Sequence, residues 1–500
     1  MTMQKLVRPA VLALCAALLA QAPQTQEIRI RADAPAHAFP HFWEQMYGSG
    51  RAVLSLRDDY RRDLRKMKDT TGIEYVRFHA IFHDEVGLYT LGKPGQQDAQ
   101  GKPFYNFSYV DQIYDGLLAA GVRPFVELSF MPRQLAASDQ PHAFWYKPRV
   151  SPPKDYVKWD DLIYRFIEHL VERYGIDEVA QWYFEVWNEP NIDFWIGEPK
   201  QSTYFTLYDH TARAVKRVNA RLRIGGPATA QAAWIEPMIQ HCVQENVPLD
   251  FVSTHVYGND TARDVFGTDE KIARSDMVAR SVRKVYDEVK RSPRPDLPIV
   301  WSEYNASYGN EVEVTDSAFM GPWLANNIRL CDGLTAMMSY WTFSDVFEEQ
   351  GVVKTPFYGG YGLIAEGGVP KAAFNAFAML HKLGDRRLEL NETDALATKR
   401  ADGAIAVAIW NYAPPGEEGL TRQFHVAIDG LPGPARFHSE IVDPWHGSAL
   451  EAWQAMGRPA FPTARQYREL REAATKTAHV EGPSLTLPAH GLALMEISTR

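Results

Sequence analysis

Short apolar runs alternate with helix-length amphipathic segments from Trp43 to about Leu383, and this pattern constrains the fold most. Runs rich in β-branched and aromatic residues predict strands, and segments with apolar residues at helical spacing and a terminal Gly predict helices. Eight units in series predict an α/β fold, a (β/α)8 (TIM) barrel, because no glycine-rich phosphate loop follows the first run as in an open doubly wound sheet. The eight runs are WEQMYGSG (43–50), IEYVRFHAIF (73–82), VRPFVELSF (122–130), WYFEVWNEP (182–190), RIGGPA (223–228), DFVSTHVYG (250–258), PIVWSEYN (298–305) and AMMSYWTFSD (336–345).

The pattern changes after Leu383. The stretch ALATKRADGAIAVAIWNYA (395–413) predicts a hairpin with its turn at Asp402-Gly403, and later Gly- and Pro-bounded runs predict further strands. We expect a β-sandwich that the chain enters first and completes last. The expected division is a leader at 1–22, a first sandwich strand at 27–38, the barrel at 39–383, and the sandwich at 384–500 with a helical insertion near 463–476.

The first residues have the layout of a secretory signal peptide. Lys5 and Arg8 precede an apolar run at 10–20, and Ala20-Gln21-Ala22 resembles a cleavage site, although Pro23 favours a cut a few residues away. The run is too short to serve as a permanent membrane anchor. We expect an exported protein, periplasmic or extracellular, with no membrane attachment in its mature form.

Charge and cysteine content limit the partners. A net charge of −9 gives no basic footprint for nucleic acid or an anionic membrane, so a neutral ligand is expected. Cys242 and Cys331 remain after loss of the leader, and each lies in a helix-like apolar stretch. They are predicted to be isolated buried thiols rather than a disulfide.

Two carboxylates lie at the ends of predicted strands on opposite sides of the barrel mouth. Glu189 ends the fourth run and Glu303 the seventh. Glycosidic cleavage needs a carboxylic acid to protonate the leaving oxygen and a second carboxylate, about 5–5.5 Å away in retaining enzymes. One Glu at a strand end is more often a solvated charge, but the pair, with Asn188 beside it, favours catalysis. Strand counting leaves open which Glu plays which role.

The exit of the fourth strand needs irregular backbone. A regular strand would send Asn188 and Glu189 to opposite faces, so both reach the mouth only from a bulge or loop, which Pro190 favours.

Metal-dependent and serine-hydrolase chemistries have little support in the sequence. There is no HExxH or CxxC motif for a metal and no G-x-S-x-G elbow, so no metal or cofactor is expected.

The residues also carry a family resemblance. The stretches YVRFHAIFHDEVGLY, RPFVELSFMPRQLA, FEVWNEPNIDFW, DFVSTH, SEYNASY, SYWTFSDVFEE and MGRPAFP occur in order along nearly the whole mature chain. The chain resembles the glycoside hydrolases of family 39, and among them the β-xylosidases. The resemblance implies a barrel with an accessory β-sandwich, retention of configuration, no metal, Glu189 as general acid/base and Glu303 as nucleophile.

The same resemblance implies a sugar subsite at the mouth. Its expected substrate is a xylo-oligosaccharide or aryl β-xyloside, cleaved from the non-reducing end to release D-xylose. Asn188 would hold the 2-hydroxyl, and the choice of Glu349 over its neighbour Glu348 rests on the resemblance alone. The implied substrate-binding residues are His79, Phe144, Asn188, His255, Tyr257, Trp341 and Glu349.

Three alternatives stay open. An α-L-iduronidase would need a basic group or backbone donors for the substrate carboxylate, whereas His255 is followed by Val256 and Tyr257. An α-L-arabinosidase is also possible on these grounds, because its sugar, α-L-arabinopyranose, differs from β-D-xylose at a single hydroxyl. A non-catalytic carbohydrate-binding protein would usually have lost a catalytic carboxylate, and both are present. The chain stops at EISTR (496–500) without the C-terminal extension of some tetrameric relatives, which favours a monomer.

Overall fold

A computed structural model describes residues 25–92 and 101–499 in two parts, a closed parallel barrel and a β-sandwich packed beside it. The leader predicted over residues 1–22 lies outside the described residues. Two strands precede the barrel, β1 (Thr25–Arg31) and β2 (Ala36–Ala38), and both join sheets of the sandwich.

The eight predicted strand–helix units are confirmed. Eight parallel strands close in chain order, and β12 pairs with β3 to complete the barrel, while β5 and β6 form a separate antiparallel hairpin. The strands are β3 (Met46–Ser49), β4 (Tyr75–Phe78), β5 (Tyr89–Leu91), β6 (Pro103–Tyr105), β7 (Arg123–Leu128), β8 (Tyr183–Val186), β9 (Arg223–Thr229), β10 (Phe251–Tyr257), β11 (Ile299–Asn305) and β12 (Met337–Tyr340).

Helices surround this barrel. Short 3-10 turns occupy Ala52–Leu56 and Ala230–Ala232. The α-helices are α1 (Asp58–Thr70), α2 (Ser108–Ala119), α3 (Tyr156–Tyr174), α4 (Ile176–Val179), α5 (Lys200–Val218), α6 (Ile235–Gln244), α7 (Ala262–Phe266), α8 (Arg274–Arg291), α9 (Val312–Thr315), α10 (Met320–Cys331) and α11 (Ala372–Leu380).

Helix α3 shows how local sequence sets these bounds. The Asp155 carboxylate accepts from the backbone N–H groups of Val157 and Lys158, which satisfies two donors that the first turn leaves free. Gly175 follows the last turn at φ 82°, a conformation that costs glycine little. The helix therefore begins and ends where its cap residues stand.

The barrel interior is layered. Side chains two residues apart on a strand point to the same face, so Tyr75 and Arg77 of β4 both face inward. Tyr75 belongs to an apolar layer toward the N-terminal ends of the strands, which closes that side. Arg77 belongs to a charged layer above it, next to the mouth. The apolar layer comprises Met46, Tyr75, Phe125, Phe251, Val300 and Met337.

The C-terminal part forms the sandwich. A seven-stranded sheet has the order β2-β15-β16-β17-β22-β19-β20, and a three-stranded sheet the order β1-β18-β21. Before α11, β13 (Ile364–Ala365) and β14 (Val369–Pro370) form a separate two-stranded sheet. The elements after α11 are β15 (Arg386–Leu388), β16 (Ala395–Lys399), β17 (Ile405–Trp410), β18 (Arg422–Asp429), β19 (Ala435–Val442), α12 (Leu450–Ala455), α13 (Ala464–Thr475), β20 (Ala478–Glu481), β21 (Ser484–Leu487) and β22 (Leu492–Thr499).

Several local features follow the sequence closely. Strands β16 and β17 form a hairpin, with Gly403 at φ 88° in its turn. Helix α13 begins with a capping box between Thr463 and Gln466. Cys242 and Cys331 are both free and buried. Within residues 25–92 and 101–499, no helix is both long enough and apolar enough to cross a bilayer.

Two histidines, His41 and His381, hydrogen-bond the buried carboxylate of Glu44 at the N-terminal end of the barrel. His381 Nδ1 lies 2.9 Å from Glu44 Oε1, and His41 Nδ1 lies 2.6 Å from the same oxygen. The hydrogen bond and the charge of Glu44 raise the pKa of His381 above its ordinary value, although burial opposes this shift. The cluster ties the start of β3 to the segment after α11.

Candidate active site

The chain leaves β8 irregularly, as expected. The strand ends at Val186, and Trp187 and Glu189 then take φ values of 71° and 44°, a region that non-glycine residues rarely adopt. The Glu189 N–H donates to the carbonyl of Ala228 at 2.8 Å, which fixes this turn against the end of β9. Asn188 and Glu189 therefore both reach the mouth.

A cavity of about 330 Å³ opens at the C-terminal ends of the strands. Eight of the nine predicted site residues line it, and His255 is the exception. Tyr308, whose ring is 56 % exposed, stands at its rim. The lining comprises His79, Phe144, Asn188, Glu189, Ile192, Phe194, Ala230, Gln231, Tyr257, Asp260, Glu303, Tyr308, Trp341, Glu349, Gln350 and Tyr361.

Glu303 is held by two strong donors. Arg77 Nη1 donates to Oε1 at 2.7 Å, and the Tyr257 hydroxyl donates to Oε2 at 2.6 Å. Burial raises the pKa of Tyr257 well above its ordinary value, and the charges of Glu303 and Glu189 add to this, so the hydroxyl keeps its proton. Each oxygen of the Glu303 carboxyl therefore has its own hydrogen-bond donor.

Glu189 has the opposite environment. Burial raises its pKa well above the ordinary carboxyl value, and the negative charges of Glu303 and Asp260 raise it further. An oxygen of each carboxyl, Glu189 and Glu303, lies within 4.8 Å of the other. This close approach favours the arrangement of retaining glycosidases, whose carboxyls stand about 5–5.5 Å apart, over the about 6.5–9.5 Å of inverting enzymes. Glu189 therefore favours the protonated form, whereas Glu303 is paired with the Arg77 cation.

His255 lies behind Glu189 rather than at the cavity surface. It is fully buried, with Nδ1 3.0 Å from Glu189 Oε1 and Nε2 3.1 Å from Ser302 Oγ. Burial lowers its pKa well below the ordinary histidine value, and the charges of Arg77 and His79 act in the same direction. The ring is therefore neutral, and both of its nitrogens are already engaged by protein groups.

The choice between Glu348 and Glu349 is resolved in space. Glu349 lines the cavity, with Oε1 3.6 Å from His79 Nε2. Glu348 points away and pairs with Arg51 at 3.1 Å and Arg57 at 2.6 Å. Burial raises the pKa of Glu349 well above its ordinary value, so this group favours a protonated carboxyl that can both donate and accept.

The loop that carries Glu349 is anchored by a buried lysine, Lys371. Lys371 is fully buried, and its Nζ lies 2.6 Å from Asp316 Oδ1 and 2.7 Å from Asp345 Oδ2. The same Nζ donates to the Gly360 carbonyl at 2.8 Å. A buried ammonium with three oxygen partners fixes both ends of the loop that follows β12. This segment closes one side of the mouth.

Sequence reasoning missed the charged layer beneath the cavity. Arg77 is fully buried and donates to Glu185 at 2.6 Å, to Glu303 at 2.7 Å and to the Asn188 amide oxygen at 2.9 Å. Its Nη2 also lies 2.7 Å from Glu127. The signal was present, because a lone Arg inside an apolar strand run must be paired, and Glu127 and Glu185 interrupt the facing runs in the same way.

Geometry alone would allow a cation near Glu189, His255 and Glu303, whose ligand atoms lie within 4.8 Å of one another. The Arg77 guanidinium is already 2.7 Å from Glu303 Oε1, and its positive charge opposes a metal ion at that oxygen. The donor set therefore fits proton chemistry better than metal binding.

Two carboxyls in complementary environments at the C-terminal mouth of a (β/α)8 barrel define the class of retaining glycoside hydrolases. The sequence model of glycosyl hydrolases family 39 matches residues 26–489. This chain belongs to that family.

Relatives of known activity agree with this placement. A β-xylosidase of Geobacillus stearothermophilus is 39 % identical over 442 residues, which cover 87 % of this chain and 86 % of the relative. The crystal structure of a monomeric β-xylosidase from Caulobacter crescentus superposes with a TM-score of 0.85 at 32 % identity, covering 95 % of this chain and 100 % of that one. The α-L-iduronidase of Homo sapiens is more distant, at 23 % identity over 97 % of this chain and 79 % of that protein.

Proposed function

We propose that this protein is a retaining exo-acting β-xylosidase that releases D-xylose from the non-reducing end of xylo-oligosaccharides. The observation that carries the proposal is the contrast between the two carboxyls at the mouth. Glu303 accepts from a guanidinium and a phenol, whereas Glu189 is buried beside a neutral imidazole. The names of the relatives in the same family support the choice of sugar.

The cavity favours a neutral pentose. Among the described residues that line it there is no Lys or Arg, and four carboxyls stand around it, those of Glu189, Asp260, Glu303 and Glu349. A uronate would bring a further negative charge without a partner, which disfavours α-L-iduronidase activity. The volume of about 330 Å³ lies at the small end of the range for small-molecule sites, which suits the terminal residue of a chain.

In the first step, the Glu303 carboxylate attacks the anomeric carbon. The bond from that carbon to the leaving oxygen breaks, and the Glu189 carboxyl gives its proton to this oxygen. Asn188 Oδ1 is fixed by Arg77, so its amide N–H groups are free to donate to the 2-hydroxyl of the sugar. His255 acts as a positioning residue for Glu189.

In the second step, Glu189 changes role. Formation of the ester removes the negative charge of Glu303, which is the main charge that raises the pKa of Glu189 after burial itself. The pKa of Glu189 therefore falls in the intermediate, and its carboxylate accepts a proton from water. That water attacks the anomeric carbon and frees Glu303, with net retention of configuration.

Substrate class is tested with purified protein on nitrophenyl β-D-xyloside, α-L-arabinopyranoside, β-D-glucoside and an α-L-iduronide. We expect the xyloside to have the highest kcat/KM, with weaker arabinoside hydrolysis because the two sugars differ at one hydroxyl. Activity on the iduronide alone would overturn the argument from the cavity charges. Saturable xylo-oligosaccharide binding with no product would identify a non-catalytic carbohydrate-binding protein.

Residue roles are tested with a matched pair of variants. Glu303→Ala should lose nearly all turnover on every xyloside. Glu189→Ala should keep the first step on a dinitrophenyl xyloside, whose leaving group needs no proton, and azide should restore its second step by attacking the intermediate. An inverted azide product from the Glu189 variant, together with a retained azide product from the Glu303 variant, would exchange the two assignments.

Glu348→Gln provides a control for Glu349→Gln. Replacement of Glu349, which lines the cavity, should lower kcat/KM on the xyloside, whereas Glu348 faces Arg51 and Arg57 outside it. A larger loss for the Glu348 variant would show that the loop geometry, and not a sugar contact, matters at this pair.

We further propose that the protein is exported and acts as a monomer. The layout of residues 1–22 supports export to the periplasm or the medium, and N-terminal sequencing of protein from the native host should find the leader removed. The monomeric Caulobacter crescentus enzyme supports the second point. Light scattering should give a mass of one chain, and a tetramer mass would refute it.

A further inference from the structure

A second cavity, of about 690 Å³, lies between barrel helix α1 and helix α13 of the C-terminal part. Four cationic side chains line it, Arg62 and Lys66 from α1 and Arg468 and Arg471 from α13. It shares no lining residue with the cavity at the barrel mouth. The two elements therefore bring four positive charges together in a protein whose net charge is −9.

These cations have few ionic partners. Within residues 25–92 and 101–499, no carboxylate oxygen lies within 4.0 Å of Lys66, Arg468 or Arg471. Arg62 is 3.9 Å from both Asp58 and Asp63, beyond hydrogen-bond distance. Like charges on facing elements repel each other, and only Arg62 of the four has carboxylate partners among the described residues, so internal ion pairing does not explain the cluster.

Asp63 is the acidic residue that lines this cavity, and it compensates little of the positive charge of the four cations. Asp63 is buried and its Oδ2 accepts from Ser344 Oγ at 2.6 Å. Burial raises the pKa of Asp63 to about 7, which reduces its negative charge near neutral pH. Burial also lowers the pKa of Lys66; Asp63 opposes that shift and Arg471 adds to it. Lys66 of α1 and Arg471 of α13 line the same cavity, so cations from the two helices face each other across it.

The walls are preorganised. Arg471 Nη1 donates to the Gly367 carbonyl at 2.8 Å, which holds its guanidinium at the edge of the turn between β13 and β14. The half-buried Tyr467 ring packs against Gly367, and a Cβ at that glycine would overlap the ring. An aromatic face and a fixed guanidinium form a concave site, unlike scattered surface charges.

We propose that this cavity is an anion-binding site for a ligand with two or more oxyanion groups, separate from the catalytic pocket. Its four cations exceed the needs of a single small anion, and charge-assisted hydrogen bonds from guanidinium groups suit carboxylate and phosphate oxygens alike. A uronate-bearing oligosaccharide and a polyphosphate share this chemistry. The inference does not depend on the proposed xylosidase activity.

The test is calorimetric titration at low salt with trigalacturonate and with tripolyphosphate, and with neutral xylotriose as the uncharged comparison. The variant Arg62→Gln/Arg468→Gln removes two exposed cations with little risk to folding. Arg465→Gln is the matched control, because Arg465 lies on the same helix, is exposed, and pairs with Glu469 at 2.7 Å outside the cavity.

We expect saturable binding of at least one polyanion, at least tenfold weaker in the double variant, which corresponds to about 1.4 kcal/mol. The Arg465 control should bind as the unaltered protein does, and added salt should weaken binding.

Binding of trigalacturonate alone would identify an acidic-glycan site, and binding of tripolyphosphate alone would identify a phosphate site. No saturable binding of either, or equal affinity in the double variant, would overturn the proposal. Hydrolysis of an aryl xyloside is measured in parallel and should be the same for all three proteins.

Discussion

Replacing Arg77 by Met should destabilise the barrel strongly and in a pH-dependent way. The guanidinium lies within 2.7 Å of three carboxylates, those of Glu127, Glu185 and Glu303, and all four side chains are almost completely buried. Burial lowers the pKa of Arg77, but the three carboxylates outweigh it, so the pKa stays above its ordinary value. The cation is therefore charged at every accessible pH, and its loss leaves the carboxylates unpaired.

The magnitude follows from this geometry. Removing one partner of a buried ion pair costs about 3–5 kcal/mol, against a total stability of about 5–15 kcal/mol for a typical domain. We take about 3 kcal/mol as the lower bound at pH 7.5. Burial already raises the pKa of Glu185, so the folded variant would bind protons that the unfolded chain releases. Its stability then falls as the pH rises, and the loss should be smaller at pH 5 than at pH 7.5.

The assay is urea unfolding at pH 5.0 and 7.5, followed by tryptophan fluorescence. Arg223→Met is a matched control, since Arg223 donates to the backbone carbonyls of Gln181 and Trp182 and covers the Tyr183 ring. The loss of stability in the Arg223 variant should not depend on pH over this range, because no buried carboxylate loses its partner. Arg77→Lys should recover part of the stability by restoring the charge. A pH-independent loss, or one below about 1 kcal/mol, would refute the reasoning about Arg77.

Three further outcomes are expected. Asp260→Asn removes one of the charges that raise the pKa of Glu189, so the basic limb of the kcat/KM profile should move to lower pH by up to about one unit, and an unmoved limb would exclude this coupling. Gly48→Ala places a Cβ against the Trp341 ring, so KM for xylosides should rise by more than kcat falls. His381→Gln should cost up to about 1 kcal/mol at pH 5.5 and less at pH 8.5, measured by urea unfolding, because the raised pKa of this half-exposed histidine stabilises the fold only while it is protonated.

The sequence was sufficient for the barrel because its signals are local and repeated. Each strand is an apolar run bounded by turn residues, and helix α3 begins and ends at the cap residues Asp155 and Gly175. Strand bounds were predicted several residues too long, as at 43–50, where the structure has β3 at Met46–Ser49. Pattern alone cannot locate the last ladder hydrogen bond, which depends on the neighbouring strand.

The candidate site was predicted less completely. Position at a strand end predicted that Glu189 and Glu303 reach the cavity, where the structure places them, but the charged residues that contact or surround them were not predicted. Arg77 looked like part of an apolar strand, and only the closed barrel brings it to Glu303 from a strand 226 positions away in sequence. Asp260 joins the cavity through the loop after β10, and no pattern in the sequence fixes where such a loop turns.

The charged layer connects stability with chemistry. Arg77 Nη1 binds the Glu303 oxygen that lies 3.7 Å from His255 Nδ1, and the same imidazole nitrogen contacts Glu189 at 3.0 Å. Burial lowers the pKa of His255, and the fixed cation that pairs with Glu303 lowers it further, so Glu189 meets a neutral ring and not a second cation. A cationic His255 would favour the ionised form of Glu189 and remove the acid. One buried arginine thus balances the interior charges and helps to keep His255 neutral beside Glu189, so we expect a change at position 77 to alter folding and turnover together.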